Sequence, residues 1–132
     1  MSKDLLLKIS QKVKKKGVID DEFIKYLDSL FSDKSINIFD VIQRGFIKYT
    51  YKPSNKIVWV VKAKNLKEEY LIFPKLYCSC WDFYKRVVME RKRSFCKHLL
   101  AQTICEALES FEEIELKDDD YFARVNRLKL KF

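Results

Sequence analysis

Residues 77–100 read YCSCWDFYKRVVMERKRSFCKHLL and hold three of the four cysteines and the only histidine. The spacing is Cys78-x-Cys80, fifteen residues, then Cys96-x-His98. In a strand, residues i and i+2 point to the same side, so Cys78 and Cys80 can reach one ion. In a helix, i and i+2 lie ~200° apart and cannot converge. Cys96 must therefore sit at or before the first residue of a helix, with His98 in its first turn. Ser94, just upstream, is available as a cap. The positive end of the helix dipole then favours the thiolates.

Three thiolates and one imidazole make a complete tetrahedral set for one structural zinc ion. The same soft donors exclude magnesium and calcium as natural occupants. The bland alternative, three buried thiols and an ordinary histidine, has cysteine's usual burial in its favour. The pairing of the only histidine with a cysteine at the spacing of the other pair favours the metal. Cys105, nine residues after Cys96 and deep in a helical pattern, reads as a small core residue.

No apolar run reaches the ~18 residues a membrane helix needs. The first seventeen residues lack the apolar core of a secretory signal, so the expected setting is intracellular. In a reducing compartment, cysteines bind metal or stay free. At 132 residues and 48% hydrophobic, the chain suits one domain, 1–132.

Residues 1–45 read as helices. Leu5, Ile9 and Val13 form a stripe before Gly17. Phe23, Leu27 and Leu30 or Phe31 form a second, with Asp20 or Asp21 as its cap. A third, shorter helix closes at Gly45. Residues 46–74 alternate as FIKYTYK, KIVWVVKAK and EEYLIFP, an antiparallel β-meander. Residues 75–111 hold the finger, with Trp81, Tyr84 and Val88 on a helix-like stripe and CKHLLAQTICEALESF as a strong helix. An acidic helix is expected over 106–115, and a C-terminal tail or helix over 112–132, the last helix falling within 118–130. The fold class is α+β.

The net charge of +8 is uneven. Residues 75–98 carry 7 Lys/Arg against 2 Asp/Glu, whereas residues 99–120 carry 1 against 8. Lys85, Arg86, Arg91, Lys92, Arg93 and Lys97 flank the four ligands and are candidate contacts for a nucleic-acid backbone. A solvated loop is the alternative. The interleaved Tyr77, Trp81, Phe83, Tyr84 and Phe95 are expected to pack around the metal. The acidic segment would repel phosphate; it and the broad apolar face of the first helix could dock on another chain, with packing inside this domain the favoured alternative.

C-x-C, a variable gap, then C-x-H resembles the SWIM zinc finger. YCSC, an aromatic-rich helix and CKHLLA look like the short SWIM proteins of the Shu complex, which extend the motif with an alanine where Ala101 stands. The close match covers residues 77–101. The order of elements and the size match in layout. The resemblance implies a protein-interaction subunit of homologous recombination and DNA repair. Its partner would be a RecA-family recombinase paralogue acting on single-stranded or branched DNA. It would be nuclear in a eukaryote and cytoplasmic or nucleoid-associated in an archaeon. No enzyme activity and no small-molecule substrate are expected. A filled tetrahedron leaves no place for a substrate, and no G-x-x-x-x-G-K-[ST] loop exists. The alternative is a stand-alone nucleic-acid-binding zinc module.

Overall fold

Apolar residues recurring every three to four positions, then every two, divide the chain into helices and sheet. The computed structural model describes residues 4–31, 35–121 and 123, without the side chain of Ser35. Helix α1 spans Asp4–Lys16, α2 Asp21–Phe31 and α3 Ser35–Arg44. The buried stripe of α1 is Leu6, Ile9 and Val13. Leu6 thus takes the place expected for Leu5, which packs only partly against the core. Gly17 and Gly45 close α1 and α3 at φ +75° and +84°, a region glycine enters without steric cost. Asp20 caps α2: the Phe23 N–H donates to its Oδ1 at 2.8 Å. That bond, with Lys16 beside it, holds the Asp20 carboxyl below its usual value.

Strands β1 Phe46–Lys52, β2 Lys56–Lys62 and β3 Glu69–Phe73 form the expected antiparallel meander, and β4 Tyr77–Cys78 extends it by pairing antiparallel with β3. Helix α4, Lys97–Ala107, follows the finger and packs against α1 and α3. The sheet then gains a strand that was not expected. Residues Glu112–Lys117 form β5, parallel to β1, and the sheet order is β4-β3-β2-β1-β5. The acidic helix over 106–115 and the tail from 112 are corrected accordingly. The reason is the period of two in EEIELK: Ile114 and Leu116 join one apolar layer, while Glu113 turns to Lys48 at 3.8 Å. Residues Asp118–Asp120 make one 3-10 turn. Most of the helix expected over 118–130 lies outside the described residues.

The sheet has two apolar faces. Phe46, Trp59, Val61 and Ile72 pack with the helices and the cysteines. Tyr49, Tyr51, Val58, Val60 and Leu71 form a second layer on the other side, where the Tyr121 ring meets Tyr51 edge-on at 5.2 Å. The architecture is α+β, with helices against a mixed five-stranded sheet.

Candidate metal centre

The centre is assembled from a strand end and a helix start. The Cys78 residue belongs to β4, paired with Ile72. The ladder continues one residue further: the Ser79 N–H donates to the Leu71 carbonyl at 3.0 Å. The Leu71 N–H in turn donates to Ser79 Oγ at 2.9 Å. With Ser79 held to β3, the extended backbone directs Cys78 and Cys80 to the same side. Cys96 is the residue before α4, with extended φ −98° and ψ 175°, and His98 stands in the first turn. This is the arrangement the two-residue spacings demand. The N-cap position falls to Cys96, not to the expected Ser94, and no side-chain cap hydrogen bond forms there.

The donor atoms of Cys78, Cys80, Cys96 and His98 all lie within 4.8 Å of one another, and all four residues are buried. Cys96 Sγ and His98 Nδ1 are 3.9 Å apart. Zinc bonds of ~2.3 Å to sulfur and ~2.0 Å to nitrogen give a tetrahedral edge of roughly 3.5 Å, so a small inward shift closes the site. The Phe83 N–H donates to Cys80 Sγ at 3.3 Å, and the Tyr70 ring packs on His98 at 4.9 Å. His98 Nε2 is buried without a hydrogen-bond partner among the described residues.

The electrostatics call for a cation. Burial pushes the Cys78 and Cys96 thiols well up from the ordinary value, while hydrogen bonds from those two toward its sulfur pull Cys80 down. Sulfurs packed this closely in a dry core cannot all ionise unless a divalent ion balances them. The residues therefore fit one zinc ion, held by four protein donors, as a structural centre. Cys105 stays apart: it is buried, outside the donor cluster, and burial alone pushes its thiol up to about 11.

Between Cys80 and Cys96 the chain makes a π-helix over Phe83–Met89. Its wide winding, with residues i and i+4 aligned, turns Phe83 inward and leaves Val87 half-buried against the core. The stripe Trp81, Tyr84 and Val88 faces solvent instead, at 61, 40 and 51% exposure. Of the aromatics expected around the metal, Phe83 and Phe95 are buried and Tyr77 partly so, whereas Trp81 and Tyr84 are not. The missed signal was the Phe83-x-x-x-Val87 pair. Trp81 and Tyr84 stack on each other at 5.6 Å, tilted by 38°.

The basic candidates divide. Arg86 Nε and Arg93 reach the same Asp82 carboxylate at 3.0 and 3.8 Å. Lys92 meets Glu90 at 3.5 Å. Lys85, Arg91 and Lys97 are exposed, and Arg91 turns the chain after the π-helix at φ +55°. Ala101, one turn beyond His98, is fully buried in the core that α4 shares with α1 and α3.

A small α+β domain closed on a buried Cys₃His set defines the class: a zinc-finger protein with a structural metal. The comparisons narrow it. The chain is 26% identical over 121 residues to the zinc finger SWIM domain-containing protein 7 homolog of Dictyostelium discoideum, covering 91% of this chain and 78% of that protein. It is 26% identical over 115 residues to zinc finger SWIM domain-containing protein 7 of Homo sapiens, covering 87% and 82%. The Mus musculus protein of that name matches at 26% over 87% of this chain and 76% of its own length. No family model matches the chain, and no solved structure matches it significantly. Motif, geometry and relatives point one way: the chain is similar to SWIM-type zinc-finger proteins over nearly its whole length.

Proposed function

We propose that the protein is a non-catalytic subunit of homologous recombination and DNA repair. In this reading it binds a RecA-like recombinase paralogue and supports recombinase assembly on single-stranded DNA, as the Shu-type resemblance implies. The observation that carries it is likeness along nearly the whole chain to short SWIM proteins, not to the finger alone. The four donors leave zinc no open position for a water or a substrate, so the metal's part is to fold the docking surface. The nucleotide chemistry belongs to the partner. The protein works inside the cell, in the nucleus of a eukaryote or beside the nucleoid of an archaeon.

The test is zinc analysis and affinity purification from the native cell extract. One zinc per chain with a RecA-family ATPase co-purifying is the expected result. Zinc without such a partner, together with tight salt-dependent binding of single-stranded DNA, would replace this reading with that of a stand-alone nucleic-acid module. One feature favours that second reading: the exposed Trp81–Tyr84 ring pair on the same helix as exposed Lys85. Trp81→Ala with Lys85→Glu should abolish DNA binding by a stand-alone module and leave a partner-dependent scaffold's co-purification intact.

A further inference from the structure

A cleft of about 390 Å³ opens between the ends of α2 and α3 and the finger. Its floor is apolar, made by Leu30, Phe31, Ile38, Phe95 and Leu100. Its rim is cationic, with Arg86, Arg93 and Lys97 around it and Asp82 as the single acid. Asp82 is shared between the two arginines, so it orients both without neutralising either pair of charges fully. Three cations against one carboxylate leave the rim about two charges positive over a greasy floor. The volume is at the small end of the range for ligand clefts, roughly 300–1,000 Å³. It suits an anchor side chain with its flanking residues better than a whole helix.

We propose that this cleft docks a short acidic segment of a partner protein, inserting a large apolar side chain between α2 and α3 while flanking carboxylates meet Arg93 and Lys97. This rests on the reading of the chain as a partner-binding subunit and names the surface and the chemistry of what binds. Charge complementarity selects the occupant. The cleft's form argues against nucleic acid. Phe31 and Phe95 meet edge to face at 6.2 Å and 78°, so the pair is not a parallel stacking slot for a base. The rest of the floor is aliphatic and offers a base no ring to stack on. Most of the acidic segment over residues 106–120 is already built into α4, β5 and the 3-10 turn after it, which favours another chain as the source of the acids.

The test uses the zinc-loaded full chain against a phage-displayed library of random twelve-residue peptides. Enriched peptides, resynthesised with fluorescein, are titrated by polarisation. The expected consensus is one large apolar residue flanked by two or more acids. Asn37→Trp, at an exposed position of the cleft wall, should weaken binding at least tenfold by filling the mouth. Lys97→Glu should do the same by charge, and places an acid where a helix start tolerates it. Zinc content and circular dichroism of both variants show that they fold. A consensus without acids, or affinity unchanged in both variants, overturns the proposal. So does a thymidine oligonucleotide that displaces the peptides and is weakened by the same substitutions. Co-purification separates this inference from the function above. A RecA-type ATPase retained at full yield by Asn37→Trp sinks the cleft as its dock and leaves that function standing. Cleft-dependent acidic peptides with no such ATPase from wild-type extract would leave the cleft standing and sink that function.

Discussion

The finger and the sheet are held by different physics. Between Cys80 and Cys96 the described chain has one π-helix, a positive-φ turn and no strand pairing. What joins its ends is four donor atoms within 4.8 Å. Strand β1, by contrast, is paired along both edges, from Phe46↔Val61 to Tyr51↔Lys56 and from Ile47↔Glu112 to Lys52↔Lys117. Its Ile47, Tyr49 and Tyr51 face is apolar, and Phe46 on the other face joins the core under the helices. The sheet draws on burial and its hydrogen-bond ladder, the finger on an ion. One chain thus places a metal-dependent segment beside a self-sufficient one.

The largest expected effect follows from removing the ion. Structural zinc contributes on the order of 10 kcal/mol to a small module. His98→Ala, or zinc chelation, should abolish amide protection over residues 77–100 and the first turn of α4. The β1–β2 and β1–β5 amides should stay protected longest. Hydrogen exchange read by mass spectrometry, with zinc counted in parallel, checks this. A uniform loss over the whole chain would break the contrast, as would a metal-free protein with an unaltered cooperative melt.

The converse substitution strikes the sheet. Val60 is buried in the layer away from the metal, opposite Ile47 and Leu71. Val60→Ala removes two methyl groups and leaves a cavity, which costs about 2–3 kcal/mol. Denaturant melts should show that loss while zinc stays at one per chain. Loss of zinc at unchanged buffer conditions would mean the two regions share one fate.

Cysteine itself offers a smaller test. Cys105 is as buried as Cys78, yet only burial perturbs its thiol, and it lies outside the donor set. Cys105→Ala should cost about 1 kcal/mol, keep the zinc, and remove a thiol that is slow toward alkylating agents at neutral pH. Metal loss in that variant would extend the centre beyond its four ligands.

The same contrast explains what could be read from sequence. The centre was legible because two-residue spacings admit few geometries: an extended pair on one side and a ligand pair straddling a helix start. The meander was legible because FIKYTYK and KIVWVVK are rich in β-branched and aromatic residues, the second a continuous apolar run buried on both faces. Strand β5 was hidden. Its alternation is short, its residues are mostly acidic, and it follows a helix whose apolar spacing runs on to Leu108. Its place beside β1 depends on α4 carrying the chain back across the sheet, a long-range fact. The π-helix was hidden too, since a count in steps of three and four assigns Trp81, Tyr84 and Val88 to the core, while the wider turn buries Phe83. In α1, three consecutive leucines left the choice between Leu5 and Leu6 to the packing of α4.

The smallest effect tests the joint between the two regions. Helix α4 begins on the metal and ends beside β5. Its last turn closes with the Ser110 N–H on the Cys105 carbonyl at 2.8 Å and the Glu109 N–H on that of Glu106 at 3.1 Å. This closure puts Glu109 at φ +56°, where a side chain is strained and glycine is the usual choice. Glu109→Gly relieves that strain against the greater freedom glycine has when unfolded, a net gain of about 0.5–1 kcal/mol. A melt of the zinc-loaded variant should rise by that amount. The metal-free protein decides what the gain means. If it rises equally, the end of α4 is ordered by the sheet and β5, and the metal's reach stops within the helix. If it does not rise, the whole of α4 needs the ion, and the boundary between the two regions moves to β5.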